Sequence, residues 1–359
     1  MDGRAGRTSV DQQRTPGSQA EPSTDTEAPL VAVVIPNWNG RHLLDRCLHA
    51  LQAQTLQGAQ IVVVDNGSTD GSVDWIALHF PTVHIIANPI NQGFAAAINQ
   101  GIHATNTPFV ATLNNDTQPD PAWLAALLEA VQPHPRVGMG ASKMLFAHQP
   151  HLINSTGIAI DRAGIAWDRH GGQPDTYPDP HPTDVFGPCA GAALYRRTML
   201  DQIGLFDPDF FAYLEDVDLA WRAQRAGWRC LYVPTARVLH HHSATGVEGS
   251  PFKSFHLGRN KVWLLIKNYP LPAGLPYLPL VVLYDLAAVS YALLARRDVH
   301  ALRGRLAGLA GLIAMWRKRR ASPPARRDDL SFLAPLEAPW RVPRRYQHIA
   351  PPAENLPEG

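Results

Sequence analysis

The sequence predicts an α/β domain built on a doubly wound, mainly parallel sheet. Three observations carry that prediction. Short unbroken apolar runs recur at residues 30–36 (LVAVVIP), 61–64 (IVVV) and 109–113 (FVATL); stretches of helical period lie between them; and each run ends in Asn, Asp, Ser or Thr. A strand buried on both faces reads as a continuous apolar run. Polar residues at the carboxyl ends of such strands sit where open α/β sheets bind ligands.

The elements follow in order. Residues 30–36 form the first strand, Asn37-Trp38-Asn39-Gly40 its loop, and residues 41–54 a helix with Leu43, Leu44, Cys47, Leu48 and Leu51 on one face. The second strand, 61–64, runs into Asp65-Asn66-Gly67-Ser68-Thr69-Asp70, which completes a right-handed βαβ unit. Residues 83–87 are a third strand. Asn91-Gln92-Gly93-Phe94 then opens a helix carrying Ala95, Ala96, Ala97, Ile98 and Ile102, and 109–113 is the fourth strand, stopping at Asn114-Asn115-Asp116-Thr117. From 138 to 188 the pattern turns irregular, with short β-like runs near 152–160 and many prolines and histidines. It reads as a loop-rich insertion over the sheet edge, a place for substrate contacts. Small residues gather at 187–193, where glycines serve either a bound ligand or a tight packing corner. Val233-Pro234 and 236–239 look like strands running into His240-His241-His242.

Composition narrows the function. A net charge of +1 over 359 residues gives no nucleic-acid-like field. Cys47, Cys189 and Cys230 are far apart, without metal or redox spacing, and read as buried, reduced cysteines of a cytosolic protein. Residues 1–29 have no apolar segment and read as a disordered tail. No Gly-x-Gly-x-x-Gly follows the first strand and no Gly-Lys-Ser/Thr loop is present, which disfavours dinucleotide and P-loop chemistry.

Two acidic stretches carry the chemistry. In Asn114-Asn115-Asp116 a carboxylate flanked by amides suits a hard divalent cation bridging a diphosphate, or else simple Asx-turn bonding. In residues 206–222 (FDPDFFAYLEDVDLAWR) an aromatic run leads into Glu215-Asp216-Val217-Asp218 at a helix start. Acids there favour the helix dipole, and Asp218 with Arg222 is an i, i+4 pair. Asp216 points about 100° away from Glu215, so the acids differ in role. A carboxylate desolvated by an aromatic wall suits a general base. On a strand His240 and His242 share a face, as metal ligand or as capped polar residues.

The ordered set IPNWNG, VVDNGSTDGS, NQGFAAAINQG, LNNDT, GPCAGAALYRR, FFAYLEDVDLAWR and HHHSATG resembles the family 2 glycosyltransferases of GT-A fold, most of all their rhamnosyltransferase-like branch, over residues 30–270. The resemblance implies a nucleotide held by Pro36 and Asn39, with Asp65 on its base. Asn91, Gly93, Asn114 and Asn115 complete the donor side. Asp116 holds Mg²⁺ or Mn²⁺ on the donor diphosphate, with His240 completing the metal site and His241 and His242 as rivals. Asn114 stands where the family has the first acid of Asp-x-Asp, leaving one charge fewer on the cation. Asp216 matches the catalytic base, and Gly191, Glu215 and Arg196 fall on the acceptor side. The implied reaction is one inverting displacement, from a nucleoside-diphosphate sugar, with dTDP-rhamnose favoured, to a glycan or lipid-linked glycan in cell-envelope polysaccharide synthesis. A nucleotidyltransferase would need a Gly-rich, basic loop after the first strand, and 35–40 has no Lys or Arg. A carbohydrate-binding scaffold would have no reason to keep both Asp116 and Asp216.

Residues 271–295 are apolar but broken by Pro272, Pro276, Pro279 and Asp285, leaving 16 residues after the last proline. A spanning helix needs about 20. With Arg296, Arg297, Arg303, Arg305 and the basic cluster 317–320, the expectation for 271–320 is helices lying on the inner face of the cell membrane. The alternative is a helix pair packed on the catalytic domain. Residues 321–359, rich in Pro and Arg, read as a mobile tail.

Overall fold

The computed structural model describes residues 28–176, 181–241, 250–271, 273–327 and 329–336. His242, residues 1–27 of the expected N-terminal tail and residues 337–359 lie outside the described residues.

The expected alternation is present: β1 (Val31–Asn37), α1 (Arg41–Gln52), β2 (Gln60–Asp65), α2 (Ser72–His79), β3 (His84–Ala87), α3 (Phe94–His103) and β4 (Phe109–Leu113). These strands lie parallel in the order β3-β2-β1-β4, with Asn37 beside Asp65 and Val31 beside Phe109. Their polar carboxyl ends therefore share one edge.

The second half is more regular than the sequence suggests. β5 (Thr117–Pro119) and α4 (Trp123–Val131) lead to β6 (Val137–Phe146), a buried strand inside the sheet where irregular structure was expected. Gly138 and Gly140 obscured it. A side chain at Gly138 would meet Met199, so the small residue is a packing choice and not a loop signal. After β7 (Gln149–Ser155) comes a separate hairpin, β8 (Ile158–Ile160) and β9 (Ala166–Asp168), and then β10 (Thr183–Val185). β11 (Ala192–Arg196) runs antiparallel between β4 and β6. β12 (Arg229–His240) is one strand with a register shift between Val233 and Arg237, where Pro234 cannot donate to a ladder. α5 (Arg197–Ile203) and α6 (Glu215–Arg225) lie between β11 and β12. Apolar side chains fill a core on each face of the sheet, one around Trp123 and Leu44, the other around Trp221 and Phe206.

The C-terminal layer comprises α7 (Pro251–Asn268), α8 (Leu278–Ala295), α9 (His300–Ala310) and α10 (Leu312–Ala321). α7 and α9 cross with backbones in contact: a methyl at Gly304 would run into the Phe255 carbonyl, and one at Gly308 would lie 2.9 Å from the Arg259 carbonyl. α8 differs from the expected two-faced helix. Pro279 sits in its first turn, where its missing N–H costs nothing. Leu275–Ala295 is long and apolar enough, by length and composition, to cross a membrane, and little of it is buried. Asp285 is ion-paired with Lys261 (3.1 Å) and Arg305 (2.7 Å). Residues 323–327 and 329–336, read from sequence as part of a mobile tail, instead run back over the catalytic domain. Arg326 N donates to Arg225 O (2.7 Å), Leu333 is buried, and Phe332 stacks on Phe186 at 6.2 Å.

Candidate active site

The carboxyl ends of β2, β1 and β4 are tied by a chain of buried polar side chains. Asn37 Nδ2 donates to Asp65 Oδ2 (2.8 Å), and Asn115 Nδ2 donates to Asn37 Oδ1 (2.7 Å). Gly40 is required beside them, because a Cβ there would collide with both amides. These residues floor a cavity of about 470 Å³, within the range of small-molecule sites. Pro36, Asn91, Gly93, Asn114 and Asn115 line it as the sequence predicts, and Asn37 joins them unanticipated. Two expected donor contacts are placed differently. Asp65 lies behind the floor, its carboxylate also accepting from Ser68 N and Oγ. Asn39, with φ 50°, accepts from Thr69 N and ties two loops together outside the cavity.

Asp116 follows β4 on a turn closed by Thr117 Oγ1 donating to Asn114 O (2.6 Å). His240 ends β12 and faces it, with Nε2 3.2 Å from Asp116 Oδ1. His240 Nδ1 is 2.9 Å from Asn154 Oδ1, an oxygen that only accepts, so Nδ1 carries the proton. With Nδ1 so bonded, Nε2 is the ring nitrogen that converges with the carboxylate oxygen, an arrangement that suits a cation between them. Among the described residues no group of three His, Cys, Asp or Glu converges on one point. Mg²⁺ and Mn²⁺ keep waters and substrate phosphates as ligands, so one carboxylate and one imidazole fit the protein's share. His241 does not line the cavity.

The other wall is the start of α6. Burial raises the Asp216 carboxyl to about 6, against the opposing pull of the Ala190 N–H, which donates to Oδ2 (3.2 Å). Burial, with Asp216 beside it, pushes the Glu215 carboxyl well above its ordinary value, and among the described residues Glu215 Oε2 is buried without a hydrogen-bond partner. Both line the cavity. Asp218 points the opposite way. Burial alone would raise it, but Lys267 (2.9 Å), Arg222 (2.9 Å) and the Asn268 amide (2.8 Å) outweigh that and hold it at about 2.

The turn before α6 carries Phe211 (φ 64°), Tyr213 (φ 69°) and Leu214 (φ 68°) in the left-handed region. Bulky residues held there cost about 1–3 kcal/mol each. Phe211 and Tyr213 line the cavity, as do Trp167 and Asp168, delivered by the β8–β9 hairpin. That irregular stretch was expected to hold substrate contacts, but an isolated Trp-Asp pair carried no signal of its own. Cys189 is also at the wall; burial, and then Asp168 and Asp216 nearby, push its thiol well above its ordinary value, which leaves it no nucleophile.

Gly191 is at the site, its carbonyl accepting from Asn114 N (2.8 Å). Arg196 is not. β11 runs antiparallel to β4, so Ala192 lies opposite Leu113 at the ligand end and Arg196 opposite Phe109 at the other. Its guanidinium donates to the carbonyls of Val137 (2.9 Å), Val131 (2.7 Å) and His134 (3.1 Å). The expected acceptor role is therefore corrected to a structural one.

A sheet of this order, with amides and carboxylates gathered at one cavity along the carboxyl ends of its parallel strands, is a GT-A fold. The chain belongs to glycosyltransferase family 2: the model of that family, Glycosyl transferase family 2, matches residues 32–204. It is 31% identical over 255 residues to N-acetylglucosaminyl-diphospho-decaprenol L-rhamnosyltransferase of Mycobacterium tuberculosis, covering 64% of this chain and 80% of that protein. Pre-mycofactocin glycosyltransferase of the same organism is 31% identical over 230 residues, 64% of this chain and 46% of its own. Among solved structures, GalNAc-T7 with UDP, GalNAc and Mn²⁺ superposes with a TM-score of 0.56 at 19% identity, over 69% of this chain and 49% of that one.

Proposed function

We propose that the protein is an inverting, divalent-metal-dependent glycosyltransferase. It moves a rhamnosyl group from dTDP-rhamnose to an N-acetylglucosaminyl-diphospho-lipid in cell-envelope polysaccharide synthesis. The observation that carries this reading is the meeting, in one cavity, of the Asp116–His240 pair with the raised carboxylate of Asp216. The sugar and the lipid-linked acceptor rest on the similarity to the mycobacterial rhamnosyltransferase.

Asn37, Asn91 and Asn114 supply polar contacts for the nucleotide on the strand ends. Asp116 and His240 hold the cation, which when bound offsets the negative charge that builds on the departing diphosphate. Asp216, ionised in the main at neutral pH, takes the proton of the acceptor hydroxyl. The freed oxygen bonds to the anomeric carbon as the bond from that carbon to the diphosphate oxygen breaks, and configuration inverts. Glu215, whose carboxyl burial pushes up, lies beside the base as a polar contact for the acceptor. Trp167 and Tyr213 offer aromatic faces and Asp168 a carboxylate to a sugar ring.

A lipid-linked acceptor places the protein at the inner face of the cell membrane. The outward side chains of α8, such as Leu283, Leu286 and Leu294, suit burial in a bilayer, and Arg296, Arg297 and the basic residues of α10 suit anionic headgroups. Loss of residues 271–359 is expected to move the protein from the membrane pellet to the supernatant; continued sedimentation would refute the contact.

The site is tested by thermal melting against nucleoside diphosphates with and without Mn²⁺. A ligand at 100 times its Kd stabilises by about 2.7 kcal/mol. The expected result is a shift that needs dTDP and Mn²⁺ together and disappears in Asp116→Ala. A shift that survives this substitution would remove Asp116 from the metal site.

A further inference from the structure

We infer that Asn260, locked in place by Arg259, is a positioning residue for the catalytic base: it holds the strained turn 210–214 that aims Asp216 and the aromatic wall at the acceptor. This rests on the reading of Asp216 as the base.

The turn does not hold itself. Phe211, at φ 64° and ψ −66°, is the centre of a γ-turn closed by Ala212 N donating to Phe210 O (2.7 Å), a strained form for an L residue. With Tyr213 and Leu214 also left-handed, such a backbone persists only when its surroundings over-determine it. Asn260 is that surrounding. It is fully buried on α7, and its Nδ2 lies 2.9, 2.9 and 2.7 Å from the carbonyl oxygens of Phe210, Ala212 and Tyr213. Arg259 Nε donates to Asn260 Oδ1 (2.9 Å), which fixes the amide end that faces the turn. Its Nη2 adds bonds to the carbonyls of Asp209 (3.0 Å) and Phe210 (2.9 Å).

The turn transmits what Asn260 fixes. Leu214 O accepts from Asp218 N (2.9 Å), the first hydrogen bond of α6, so the base moves with the turn. On the donor side, Phe211 O accepts from Ala95 N (3.3 Å), and the Phe211 ring occupies the place where a Cβ on Gly93 would sit. α7 cannot yield easily, because α9 backs it through the contacts of Gly304 and Gly308. The C-terminal layer thus reaches the turn through Asn260 and Arg259, and the back of α6 through the Lys267 and Asn268 contacts to Asp218.

The test uses the full chain with Asn260→Asp, which keeps the shape and turns a donor into an acceptor. The expected result is a fall in kcat with dTDP-rhamnose of about 10–100-fold, the size of effect that a displacement of about 1 Å produces. The acid limb of the pH–rate profile moves, while the melting shift from dTDP and Mn²⁺ stays. Hydrogen exchange, which needs no substrate, is expected to quicken at 210–214 and Ala95 alone. Arg259→Lys should show the same signature more weakly, and it carries the test if Asn260→Asp does not fold. Adding Leu214→Gly, which accepts positive φ without strain, should recover part of the lost rate. Parental kcat with unchanged exchange in the turn would overturn the inference. So would a loss of rate that follows only the folded fraction and that Leu214→Gly does not recover. Asp216→Asn, run alongside, separates the two ideas: if it turns over normally the site reading fails, and if it is inactive while Asn260→Asp is parental only the positioning role fails.

Discussion

Asp216 and Asp218 are two residues apart on one helix turn, and the protein drives their carboxyls in opposite directions. Asp216 faces the cavity and is raised to about 6; Asp218 faces α7 and is held at about 2. Both are desolvated, so burial does not distinguish them. The difference is the partner. Lys267 reaches Asp218 at 2.9 Å and Asp207 at 2.6 Å, whereas Asp216 is met by backbone N–H groups and by the nearby charge of Asp168. A buried carboxylate with a cation is structure; one without is held ready for a proton.

The largest test of that contrast is to remove each acid's charge. Asp216→Asn is expected to lower turnover by about 10²–10⁴-fold, the usual worth of a general base, while melting no lower than the parent. An active variant would move the base elsewhere. Asp218→Asn is expected to cost about 3–5 kcal/mol of stability, as breaking a buried ion pair does, read by denaturant unfolding. If instead it unfolds like the parent but loses turnover, the front and back of α6 have been assigned the wrong way round.

The pH dependence sharpens the same comparison, with opposite signs. Between the unfolded carboxyl value of about 3.9 and the folded value of Asp216, the native state binds the proton more tightly, so this group's contribution to stability falls as pH rises toward 6. Asp218, depressed in the folded state, contributes stability that is present above about 3.9 and lost as pH falls toward 2. Turnover should rise with pH through an acid limb near 6 as Asp216 loses its proton. A limb that persists in the residual activity of Asp216→Asn would belong to another group.

The two halves of the fold were not equally legible. β1 to β4 announced themselves because local pattern determines them: apolar run, polar stop, amphipathic helix. β11 and β6 did not, since their neighbours are set by pairing across long stretches of chain and by glycines that give way to Met199 and Val131. At the site the same division holds. Asp116, Asp216 and His240 stood in motifs. Asn37 stood in plain view at a strand end but was passed over for Asn39, because which amide turns inward depends on Asp65 and Asn115 from neighbouring strands. Trp167 and Asp168 reach the cavity only through a hairpin whose register the sequence does not state. Asn260 and Lys267 look like ordinary polar residues of a helix until their three-dimensional partners are known.

The smallest effect on chemistry is expected at Arg196, which the sequence placed with the acceptor and the structure places at the far end of β11. Its guanidinium bonds three carbonyls around the end of α4 and lies 4.9 Å from the Phe109 ring, so it closes the bottom of the sheet. Arg196→Ala should therefore cost about 1.5–3 kcal/mol of stability, the worth of hydrogen bonds to a charged group. The acceptor KM should stay within about twofold, as for sites that share no partners. Trp167→Ala is the matched control, expected to leave unfolding near the parent and to raise the acceptor KM about threefold to tenfold, in line with the energy of one aromatic contact. If the two substitutions exchanged these effects, the acceptor would lie beneath the sheet and not against the hairpin. The antiparallel insertion of β11 makes that outcome physically costly, because a ligand there would meet no carboxyl end of any central parallel strand.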